Sequence, residues 1–191
     1  MIRKERQINL KPGLEALALK LDNGGIDEAH LEQLRGTLRV LGGLAVCFHG
    51  AFENDEKVLE KEFDHLVADV HNEQKHPDAE HHNRVVADLG AMISTILNMA
   101  DDNVIAVSAT DCARIFSNAL TSAEDILKMP KPPMPYRNEA LGMINTVCQL
   151  MHPDSCFADA ELHLITSLGA DLRTGKLRAV HTLRTHLERI G

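Results

Sequence analysis

The sequence predicts an all-α fold, a multi-helix bundle, and three observations carry that expectation. Its long segments repeat apolar residues at spacings of three and four, the period of a helix with one buried face. The interior has to be aliphatic, because 191 residues include no Trp, one Tyr and five Phe while 44% are hydrophobic, a composition suited to helix packing rather than to a sheet sandwich. No hairpin turn signal joins alternating strand-like runs. Residues 1–191 are read as a single helical domain, with the Pro-rich connector 129–135 as the candidate subdomain break.

In chain order, Pro12-Gly13 opens the apolar stretch LEALALKL, which Asn23-Gly24-Gly25 closes in the manner of a helix C-terminus. Asp27 caps a longer helix in which Leu31, Leu34, Leu38, Leu41 and Leu44 recur on one face, up to Gly50. Leu59, Phe63, Leu66 and Val70 mark the next, with acids in its first turn where the helix dipole favours them, and Pro77 breaks it. Val85, Leu89, Met92, Ile93 and Ile96 form a strongly apolar helix that ends near Ala100-Asp101-Asp102. NVIAVS, with no partner strand evident, reads as a buried connector, and Ser108-Ala-Thr-Asp111 resembles a capping box ahead of another helix. Pro130, Pro132, Pro133 and Pro135 predict an extended connector from Met129 to Pro135, which would also suit an aromatic-lined groove.

Three segments echo one another at Leu41-Gly42, Leu89-Gly90 and Leu141-Gly142, 48 and 52 residues apart. A glycine beside Leu within a helix admits a neighbouring backbone, so the echo predicts three helices packed at one centre. As a true duplication it divides the chain into three helical hairpins, roughly 26–75, 78–129 and 137–190.

The charge pattern narrows the functional classes. A net charge of −8 divides into +3 over residues 1–20, +3 over 170–191 and −14 between them. An acidic centre with few aromatic side chains repels a phosphate backbone and offers little to stack on bases, which argues against nucleic acid and leaves a basic protein partner as the fitting class. No apolar run is long enough to span a bilayer, and MIRKERQINLKPG lacks the apolar centre of a signal peptide, so a cytoplasmic location and no membrane association are expected. Cys47, Cys112, Cys148 and Cys156 are then small reduced thiols.

The stretch DHLVADVHNEQKHPDAEHHNR, residues 64–84, holds five of the 11 histidines and invites a metal reading. Glu62-Phe-Asp-His65 and Glu73-Gln-Lys-His76 are both Glu-x-x-His, the pair that di-iron bundles use, but those bundles take one copy from each of two helices. Here both copies fall on one helix, about 16 Å apart along its axis, and do not share a metal centre. A site would need His49 and Glu53 beside Glu62, His65 and Asp69; otherwise the segment is the solvated end of a helix, and no cofactor is expected. Cys148-x-x-x-His152-x-x-x-Cys156 is regularly spaced but supplies three ligands where structural zinc takes four, and Pro153 interrupts the helical face. No Gly-x-Ser-x-Gly elbow or Walker loop occurs, so binding rather than catalysis is expected.

The last helix, about Thr174 to Ile190, lines up Leu177, Val180, Leu183, Leu187 and Ile190 on one stripe, with Arg178 and Arg189 opposite. Such a stripe covers the chain's own core, or pairs with a second copy in a homodimer, or takes a different protein. The reading reached is a helical protein–protein interaction module, an adaptor, chaperone, regulator or inhibitor; the alternative is a helical bundle that binds a metal or a small molecule.

Overall fold

A computed structural model describes residues 5–22, 31–49, 56–76, 78–99 and 105–190. Within them run β1 (Gln7–Asn9), α1 (Lys11–Asp22), α2 (Leu31–His49), α3 (Glu56–Lys75), α4 (Ala79–Met99), β2 (Ala106–Ser108), α5 (Ala109–Leu127), α6 (Met134–Leu150), a short 3-10 turn (Pro153–Ser155), α7 (Asp159–Arg173) and α8 (Leu177–Glu188). The fold is therefore an all-α bundle carrying one small two-stranded sheet.

Local chemistry accounts for the helix starts. The Asn9 side chain accepts hydrogen bonds from the backbone N–H of Lys11 (3.1 Å) and of Ile105 (3.2 Å), capping α1 and tying it to the chain ahead of β2. Ser108 caps α5 as its spacing to Asp111 predicts: its Oγ accepts from the Asp111 N–H at 3.0 Å and donates to the Asp111 carboxylate at 3.1 Å. Pro133 precedes α6, and Pro135 sits in its first turn, where a missing N–H costs no intrahelical bond.

The tightest joint is between α2 and α6. A Cβ at Gly36 would lie 2.2 Å from the Glu139 carbonyl oxygen, and one at Gly142 would lie 2.1 Å from that of Gln33, so the two backbones touch where neither residue has a side chain. Thr37 and Thr146 share a buried 2.8 Å hydrogen bond across the same crossing, and Arg39 meets Glu139 at 2.5 Å. α5 packs against α6 and α8, α3 against α4, and α4 against α1. Phe116, fully buried on α5, stacks with Phe157 at 6.3 Å between ring centroids.

Several expectations are corrected. NVIAVS is not merely a connector: Ala106–Ser108 pairs antiparallel with Gln7–Asn9, with Ile8 opposite Val107. The partner strand is a three-residue segment almost a hundred residues earlier, too short to leave a periodic signal. The Pro-rich connector is not an extended run from Met129 to Pro135: it bends over residues 129–131, with Lys131 at φ 56°, and α6 begins at Met134. The helices also do not pair as three sequence-adjacent hairpins, since α2 lies chiefly on α6 and α3 on α4. Of the Leu-Gly echoes, Gly142 does mark a backbone contact, whereas a Cβ at Gly90 would meet nothing within 4 Å; the partner of Gly142 is Gly36, outside the echo. Beyond Pro153 the chain forms two helices, α7 and α8, separated by Gly175 in a left-handed conformation (φ 67°) that favours glycine.

Candidate functional site

The way α6 ends creates a hollow. His152 is held extended before Pro153, as residues preceding proline are, and the 3-10 turn that follows closes with Cys156 at φ 63°. The Ser155 hydroxyl donates to the Leu150 carbonyl (3.3 Å), fixing the reversal. The chain re-enters as α7, which stands against α6 and α8 with only Glu161 and Leu172 buried. Leu162, Ile165 and Leu168 face the core without being covered by it. Between α6 and α7, with Lys20 of α1 and Gln33 of α2 at its border, lies a cavity of about 830 Å³.

Its wall has three chemistries. Met151, Leu162, Ile165 and Leu172 are apolar; Gln33, Asn145 and Gln149 present amides, the last two one turn apart on α6; Lys20 and Arg173 bring positive charge from the last turns of α1 and α7. His152 also lines it, its Nδ1 accepting from the Asp154 N–H at 3.2 Å, which leaves Nε2 to carry the proton of the neutral ring. Burial pushes the Cys148 thiol up to about 12 against the opposing field of Arg173, so it stays protonated at neutral pH and is a poor nucleophile. Volume and mixed lining match those of small-molecule sites.

The residues singled out from the sequence lie elsewhere. Val180, Leu183 and Leu187 are fully buried within the chain's own core and Ile190 packs on its edge, while Leu177 is exposed. Of the metal alternative, Glu53 and the side chains of His49 and Glu62 lie outside the described residues. His65 is exposed on α3, and Asp69, one turn further on, reaches Asp88 of α4. Burial, then the hydrogen bond and repulsion from Asp69, push the Asp88 carboxyl up to about 6, partly offset by His65 and Arg84. Among the described residues, no three His, Cys, Asp or Glu side chains come together as a metal shell. Cys148 and Cys156, the one half-buried and the other exposed in its left-handed turn, do not complete one around His152.

A second polar cluster was missed from the sequence. Glu124, on the apolar face of α5, is buried beside Arg184 Nε (2.5 Å), Lys128 Nζ (2.8 Å) and His181 Nδ1 (3.0 Å). Burial pushes its carboxyl up, but these three partners outweigh it and hold the group down at about 2. The signal was present, since Glu124 continues the stripe of Phe116 and Leu120 where a carboxylate needs partners. The cavity left no comparable signal, because its walls converge from four helices.

No protein-family model, curated protein or solved structure shows significant similarity to this chain. The described helices include none long and apolar enough to cross a membrane.

Proposed function

We propose that this protein is a non-covalent receptor for a small organic molecule, bound in the cavity between α6 and α7. The observation that carries the reading is the 830 Å³ hollow itself, on a helix, α6, whose opposite joint with α2 is closed to backbone contact. A concave hollow of this size, open to solvent and with amides and bases set around apolar side chains, offers a small molecule both surface to bury and groups to orient it. Cys148 is held protonated at its wall, which favours binding over covalent chemistry.

Gly169 provides the test. It lines the cavity, and a Cβ there would meet nothing within 4 Å, so Gly169→Leu fills the hollow without a backbone clash and improves the helical propensity of α7. A thermal-shift screen of small molecules should yield ligands that raise the melting temperature of the wild-type chain by roughly 5–10 °C at about 100 times Kd. The same ligands should leave Gly169→Leu unmoved. Ligands that stabilise both equally, or none at all, would remove the reading.

A second reading, the protein-interaction module, draws support from another surface. Met129, Met134 and Tyr136 are 48%, 63% and 54% exposed beside the prolines between α5 and α6. Such a cluster fits protein contact, including contact with a second copy. Sedimentation of wild type and Met134→Asp at rising concentration checks the latter: a mass that doubles only in the wild type supports it, and monomers throughout dismiss it.

A further inference from the structure

Resting on the cavity reading, we propose further that the occupant is an organic anion with an apolar body, its carboxylate, phosphate or sulfonate held between Lys20 and Arg173. The chain has 28 acidic and 20 basic residues. Fourteen residues line this cavity and none is acidic, where a wall of that size drawn at random from the chain would include about two acids. A base in the last turn of a helix already suits the helix dipole, so position alone says little. Charge at this wall is one-sided: Lys20 and Arg173 line it, and neither forms an ion pair with a described residue.

Both side chains are exposed at the cavity rim, and an anion bound there gains charge-assisted hydrogen bonds from them. Arg173 is close enough to act on the Cys148 thiol electrostatically, which places its field inside the hollow. The amides of Gln33, Asn145 and Gln149 offer both donors and acceptors, and Leu162, Ile165 and Leu172 supply the surface for an apolar body. A neutral apolar ligand would make no use of either cation; a polyanion such as a nucleic acid would meet the acidic remainder of the chain.

The experiment uses two fluorophores of nearly the same shape, anilinonaphthalenesulfonate and its uncharged parent phenylnaphthylamine, titrated into the full chain. Wild type should bind the sulfonate more tightly than the neutral dye. Lys20→Gln with Arg173→Gln should weaken the sulfonate by about tenfold or more and leave the neutral dye unchanged, because only the anion uses the charges. Gly169→Leu should lose both dyes, and circular dichroism melts establish that all variants are folded. Equal affinity for the two dyes in wild type, or a sulfonate affinity untouched by the double substitution, overturns the anion assignment while the cavity reading stands. Binding of both dyes undiminished in Gly169→Leu, or of neither by wild type, overturns the cavity reading and this inference with it.

Discussion

Two carboxylates at helix joints, Glu124 between α5 and α8 and Asp88 between α3 and α4, have pKa values shifted in opposite directions. Both lose solvent, which by itself raises a carboxyl pKa. Glu124 meets three cationic side chains and is held at about 2; Asp88 meets Asp69 and rises to about 6. The same contrast recurs in the glycines, Gly142 being pressed against the Gln33 backbone while Gly90 on α4 faces open space. One part of the molecule, α2 with α5, α6 and α8, is matched in shape and charge; the α3–α4 pair is held with less complementarity. The difference teaches that burial sets how much a group matters, and its neighbours set the sign.

Substitutions can break that contrast, and the largest effect should come from Gly142→Ala. A methyl group 2.1 Å from the Gln33 carbonyl oxygen forces two helix backbones apart, at a cost of about 3 kcal/mol or more. Urea denaturation should place its midpoint well below that of the wild type. Next, Glu124→Gln leaves Arg184, only 17% exposed, with the Glu188 carboxylate alone and should cost about 2 kcal/mol by the same measurement. Because the folded pKa of Glu124 lies below its ordinary 4.5, the stability it confers is fully present above that value and is lost as pH falls from 4.5 towards about 2. That acid limb should flatten in the variant.

Asp88→Asn should do the reverse. Its folded pKa lies above the ordinary 3.8, so the fold takes up a proton that the unfolded chain does not, and this group adds stability as pH falls from about 6 towards 3.8. At neutral pH the amide removes the repulsion with Asp69 and should stabilise by about 1 kcal/mol, discounted for the solvent that still reaches the site. Melting temperatures at pH 5 and pH 7 should then differ less in Asp88→Asn than in the wild type. Smallest of all, Gly90→Ala should gain about 0.5–1 kcal/mol, since a Cβ there meets no neighbour and alanine favours the helix. A loss instead would show that α4 is covered in solution, and would erase the contrast with Gly142.

What the sequence made legible was whatever a few adjacent residues decide. Ser108 and Asp111 announce the start of α5, Pro77 follows the end of α3, and the spacing of Leu34, Leu38, Leu41 and Leu44 predicts the buried face of α2, where all four are buried. The C-terminal stripe was readable in the same way, its core-facing outcome being decided by the cover that α5 provides. Illegible were the features made by convergence. Gly36 carries no mark that Gly142 will lie across it, β1 is too short to advertise β2, and Lys20 and Arg173 line the same hollow only because α1 and α7 both border α6. Local propensity does not encode which helices become neighbours.

The glycine crossing between α2 and α6 has a consequence for how the chain is made. Thr37 and Thr146, bonded across it, are 109 residues apart. At about 5–20 residues per second on the ribosome, α2 is complete roughly 5–20 s before the helix it docks on exists. Throughout that interval Leu34, Leu38 and Leu41 have no native cover from α6. Until α6 emerges, the nascent chain carries that apolar face without the partner that covers it in the folded bundle.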